Sequence, residues 1–194
     1  MDCIYLCQDL DYKDVMDALV HEWKQEIEDS CGFNPSSRRM LIGFHSFLGR
    51  EAENERLYQE QLSETAASDA AGARDIIGGY RDLIRCYLRL GHYVKAYCCC
   101  VMVMKNPGYE QIRTLRLAGD ILEGCFEVVA HAPNRASDLW ELANRELQRG
   151  GFCRYGNLYT KGIAAARAVG DCCVPALERE YREWRKACGL SLGD

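Results

Sequence analysis

Apolar positions recur at three- and four-residue spacing along most of the chain, and each run is closed by glycine or proline, so the pattern predicts consecutive α-helices. The clearest run is Gly79 to Pro107. Tyr80, Leu83 and Tyr87 share one face of a first helix, Gly91 marks a turn, and Tyr93, Ala96, Cys100 and Val103 form the matching face of a second before Pro107 stops it. Upstream, Asp11 is positioned to cap a helix over Tyr12 to Asp29, followed by Gly32 and the Asn34-Pro35 turn. Ser36 or Ser37 is positioned to cap the next, which ends at Gly49. A polar helix from Glu51 to Thr65 leads into a linker-like stretch, SETAASDAAGA. Beyond the Pro107-Gly108 turn the pattern predicts a helix from Tyr109 to Glu123 and a short one from Cys125 to His131, stopped by Pro133. Further helices follow from Ser137 to Gly150, from Phe152 to Val169, and from Pro175 to Cys188. Gly156 and Gly162 weaken the helix that holds them or mark close packing against a neighbour.

Within Gly79 to Pro107, Tyr80, Leu83, Ile84 and Tyr87, then Ala96, Cys100 and Pro107, resemble the tetratricopeptide family's W-x2-L-G-x2-Y, A-x3-F and closing proline. Ile84 stands where the family has a small residue, and the proline arrives one residue early. The resemblance covers about 30 residues, one helical hairpin of the repeat length. It implies an all-α fold in which antiparallel helix pairs stack as a short right-handed solenoid, because one hairpin cannot bury its apolar face alone. The expected organisation is a single domain, 1–194, with acidic N-terminal helices over 1–66, hairpins over 70–169 and a capping helix over 171–189. Hairpin turns are expected near Gly49, Gly91, Gly124 and Gly150.

Length and composition agree with a folded domain: 194 residues, 48% hydrophobic and 27% charged. No apolar run approaches a membrane span, and the start, MDCIYLCQDLDYKD, has neither a basic n-region nor an apolar h-region, which predicts a cytoplasmic protein. Twelve cysteines are present, none in C-x2-C spacing. Cys86, Cys100 and Cys125 fall on or beside predicted core faces and are expected to be buried structural thiols, since a thiol behaves as a small hydrophobe.

Charge divides the chain. Residues 1–70 hold 15 acidic and 6 basic side chains, the remainder 14 and 18, for a net of −5. That balance argues against nonspecific nucleic-acid binding and leaves a basic half able to receive an acidic peptide or the acidic front of another copy. Arg81, Arg85 and Arg89 recur every four residues and form one stripe. The family resemblance implies that this stripe lines a concave groove, continued by Arg113 and Arg116 on the next pair and by Asn144, Arg145 and Gln148 on the one after. Guanidinium groups so placed grip carboxylates bidentately. The alternative is a solvated face whose arginines pair with Asp75 and Asp82.

His21, His45, His92 and His131 are scattered, and no nucleophile elbow, P-loop or H-E-x-x-H motif occurs, so neither an enzyme nor a metal or cofactor site is expected. Two functions remain. The preferred one is a protein–protein interaction module that holds a peptide or protein partner in a helical groove. The other is a sensory or oligomerisation domain of a bacterial transcriptional regulator, although neither end of the chain reads as a helix-turn-helix.

Overall fold

The computed structural model describes residues 13–30, 35–69, 71–113, 115–149 and 156–190. Ten α-helices and no strand occur among the described residues. They are α1 (Lys13–Ser30), α2 (Pro35–Phe47), α3 (Glu51–Ala67), α4 (Ala73–Arg89), α5 (Tyr93–Met104), α6 (Tyr109–Ile112), α7 (Arg116–His131), α8 (Ser137–Arg149), α9 (Gly156–Val169) and α10 (Val174–Ala187). A 3-10 turn, Pro133–Arg135, joins α7 to α8. None of these helices is long and apolar enough to cross a membrane. The chain divides into two compact units, Met1–Gln61 and Leu62–Asp194, with the division inside α3.

In the first unit α1 packs on α2. Val20, Leu41, Phe44 and Leu57 form its core, and Trp23 meets Phe44 edge-on with ring centres 5.9 Å apart. Three polar side chains, Arg38, His45 and Asn54, are buried there. Asn54 is satisfied in part by donating to Ser46 Oγ at 2.9 Å, whereas His45 Nδ1 has no hydrogen-bond partner among the described residues. Burial pushes the His45 pKa below its ordinary 6.5; the charge of Glu53 opposes this, and Arg50, Lys24 and Arg56 add to it.

In the second unit α7 is the central helix. It packs against α4, α5, α6, α8 and most extensively α9, while α10 lies on α9. The reason is compositional: Ala118, Gly119, Ile121, Leu122, Gly124, Cys125, Phe126, Val128 and Val129 are all buried, so α7 offers apolar surface in several directions. The predicted hairpin forms as expected. Gly91 turns between α4 and α5 with φ +70°, and Leu83, Ile84, Tyr87, Ala96, Cys100 and Val103 are buried, whereas Tyr80 and Tyr93 are only half-buried.

Several boundaries differ from the sequence pattern. Gly124 is not a turn but lies inside α7, and the break falls earlier, at Arg113–Leu115, where Leu115 is extended (φ −88°, ψ 157°). The physical cause is close packing: a Cβ on Gly124 would come within 2.7 Å of Ile84 Cγ2, so glycine there lets α7 approach α4. The chain reverses instead at Pro133–Arg135 and at Gly170. Gly162 is likewise buried, against Phe126. Helix α3 runs to Ala67, into the stretch that looked like a linker, and α2 already includes Ser36 and Ser37. Asp11, Gly32, Asn34, Gly150 and Phe152 lie outside the described residues.

Two outcomes follow from this packing. Gly124→Ala is expected to destabilise the protein by about 1–3 kcal/mol, since Ile84 is buried and has little room to give. Gly78→Ala, in the interior of α4 with nothing within 4 Å of the new Cβ, should instead stabilise by roughly 0.5–1 kcal/mol. Chemical denaturation of both variants checks the pair, and a stable Gly124→Ala would refute the close approach. His45 sets a pH dependence. Its folded pKa lies below 6.5, so the unfolded chain takes up the proton first; the stabilisation is complete above that value and is lost as pH falls below it. Melting temperature should therefore drop between pH 7.5 and 5.5 by more in the wild type than in His45→Gln, and equal drops would dismiss His45 as the cause.

Candidate functional site

Eight residues stand out from the sequence as partner-binding, and the fold distributes them over four places. Arg81 and Arg85, one turn apart on α4, meet Arg116 from the first turn of α7 around a single carboxylate, Asp120. Arg85 Nη2 is 3.3 Å and Arg81 Nη1 3.9 Å from Asp120 Oδ2, and Arg116 Nε donates to Oδ1 at 3.1 Å. Arg81 also donates from Nε to Asp82 Oδ1 at 2.9 Å, as the solvated-face alternative anticipates for that one residue. The side chain of Asp120 is only 10% exposed, while Arg85 is 48% and Arg116 61% exposed, so the carboxylate sits inside and the guanidinium groups face outward. Among these contacts three cations meet two anions, Asp82 and Asp120. Each exposed pair contributes no more than about 1 kcal/mol, because water and salt screen it.

Arg113 does not join this group. The break before α7 puts it at the end of α6, where it pairs with Glu110 (3.6 Å). Glu110 also accepts from Arg149 at 2.8 Å, and Arg149 reaches the largely buried Glu146 at the same distance. Arg89 is exposed in the last turn of α4. Asn144, Arg145 and Gln148 line a separate polar cavity of about 520 Å³ with Trp140, Glu141 and Asp171. There Trp140 Nε1 donates to Asp171 Oδ2 at 2.8 Å, and the backbone N–H of Cys173 donates to Asp171 Oδ1, also at 2.8 Å. Those two bonds hold the Asp171 carboxyl below the usual carboxylate range, the Cys173 N–H contributing most.

A larger cavity, about 810 Å³, was not foreseen. It opens beside the α4–α5 turn and is lined by the start of α5, the end of α7 and the Pro133–Arg135 turn. Tyr93 and His131 stack on its wall, ring centres 4.6 Å apart and planes inclined by 16°. Tyr97 donates to Asp138 Oδ2 at 2.6 Å, and this bond, more than partial burial, pushes its hydroxyl up to about 12. The sequence signal was present in Tyr93 and Tyr97 one turn apart, but His131 is 38 positions from Tyr93 and only the α5–α7 packing brings them together. Asp120 was missed for a similar reason, although its place four residues after Arg116 was visible.

The thiols divide by depth. Cys86, Cys99, Cys100 and Cys125 are buried, while Cys98, Cys172 and Cys188 are exposed. Cys100 and Cys125 share a hydrogen bond between α5 and α7, which together with burial raises the Cys100 thiol well above its ordinary 9; burial first, and the neighbouring Cys98, push Cys99 up to about 11. Among the described residues no three His, Cys, Asp or Glu side chains are grouped to hold a metal ion. Comparison with protein families, curated proteins and solved structures finds no match to this chain.

Because thiolates are the reactive form, alkylation of the native protein should label Cys98, Cys172 and Cys188 first and leave Cys86, Cys99, Cys100 and Cys125 protected until the chain unfolds. Peptide mapping by mass spectrometry reads this directly. Labelling of Cys100 or Cys125 as fast as Cys98 would show that α5 and α7 separate in solution.

Proposed function

We propose that this chain is a non-enzymatic, tetratricopeptide-like interaction module of the cytoplasm that holds an acidic segment of a partner protein. The observation that carries this reading is the convergence of Arg81, Arg85 and Arg116 on Asp120, with Arg85 48% and Arg116 61% exposed. A guanidinium fork suits a carboxylate, and an internal carboxylate that holds three such forks keeps them apart and oriented before a guest arrives.

The helix packing supports the repeat reading. Pairs α4–α5, α7–α8 and α9–α10 begin at Ala73, Arg116 and Gly156, and each touches the next along the chain, which is compatible with stacked helical hairpins. These intervals exceed the ~34 residues of the family period, the first because α6 is inserted between pairs. Helix α10 suits an end cap, since Leu177 is its buried residue and charged side chains cover most of the rest.

The test measures fluorescence anisotropy of a labelled glutamate-rich peptide. Wild-type protein should bind in a salt-sensitive way, and Arg85→Glu/Arg116→Glu should bind at least about tenfold more weakly, the size expected for losing hydrogen bonds to charged groups. Asp120→Asn weakens the hold that orients the forks and should bind more weakly than wild type. Peptide affinity that ignores both changes, with helicity intact, would place any partner surface elsewhere.

A further inference from the structure

We propose that the cavity at the α4–α5 turn is a second binding site, for a small organic anion with a flat aromatic body such as an aromatic carboxylate. It shares no residue with the arginine cluster around Asp120 and does not depend on the proposal made for that cluster.

Size comes first. About 810 Å³ falls within the roughly 300–1,000 Å³ typical of small-molecule pockets, too large for a bare inorganic anion to fill. Its surface is mainly apolar, which disfavours a sugar or a free phosphate. Val94, 64% exposed in the first turn of α5, serves no core and lies on this cavity's wall with Val128, Ala132 and Pro133. The stacked Tyr93 and His131 rings add a planar aromatic surface, and such surfaces favour offset stacking with another ring.

Charge decides the rest of the ligand. Lys95, Arg135 and the imidazoles of His92 and His131 line the cavity, and none of its lining residues is acidic. The acidic group bonded to its wall, Asp138, is engaged by the Tyr97 hydroxyl. Lys95 Nζ also lies 5.3 Å from the centre of the Tyr87 ring, which holds the ammonium near the turn. The start of α5 and the end of α7 contribute helix-dipole ends of opposite sign, so the full charges of Lys95 and Arg135 set the potential. An apolar, ring-bearing body with one carboxylate satisfies each wall.

Calorimetric titration with 2-naphthoate and with its neutral counterpart, 2-naphthylmethanol, tests the assignment. Wild-type protein should bind the naphthoate at least about tenfold more tightly than the alcohol, as expected for a charge-assisted contact. Lys95→Gln/Arg135→Gln, both at exposed positions, should lower naphthoate affinity to the level of the alcohol and leave the alcohol unchanged. Tyr93→Ala should weaken both. Equal affinity for the two compounds, undiminished naphthoate binding by the double variant, or no heat with either at about 1 mM would overturn the proposal.

Discussion

The second unit depends on one close approach, that of α7 to α4 at Gly124 and Ile84. A helix that must contact neighbours on several sides needs apolar surface nearly all round and at least one position with no side chain, and α7 has both. With Gly124 lying under Ile84, Asp120 one turn earlier faces Arg81 and Arg85. His131, almost two turns later, reaches Tyr93 at the start of α5. The distance between helix axes thus decides whether the charged cluster and the aromatic wall exist.

Polar groups on α7 follow the same geometry. Asp120, Glu123, Glu127 and His131 are spaced three or four residues apart and so fall along one strip of an otherwise apolar helix. Each is matched by another element: Asp120 by arginines of α4, Glu123 and Glu127 by Lys161 of α9 (2.9 Å to Glu123), and His131 by Tyr93 of α5. Burial alone would depress the Lys161 pKa, yet its hydrogen bonds to Glu127 and Glu123 prevail and raise it. Charge placed at a packed interface is matched and contributes orientation more than stability. Of the two ends of the strip, His131 is exposed and Asp120 is not.

Much of this was legible from residues close in sequence. Leu83, Tyr87, Ala96, Cys100 and Val103 followed helical spacing and are buried, and Gly91 has the left-handed backbone that a tight inter-helix turn demands. Cys86 and Cys125 followed as small apolar residues on core faces. Gly124 misled because glycine has two uses, to end a helix or to admit a neighbouring one, and local sequence does not distinguish them. The arginines were only partly legible. Their four-residue spacing placed Arg81 and Arg85 on one stripe, but the break at Arg113–Leu115 sent Arg113 to Glu110 and Arg116 to Asp120.

By itself the sequence determined the all-helical class, the hairpin at Gly91 with most of its buried face, and the positive balance of the chain beyond residue 70, because these rest on backbone propensity, spacing and composition. Tertiary structure alone decided that α7 is continuous and central, that three arginines share Asp120, and that an aromatic, basic cavity opens where α5 begins and α7 ends. Such features join residues tens of positions apart. They exist only once the apolar faces have packed, since that packing fixes which side chains come within hydrogen-bond or stacking distance.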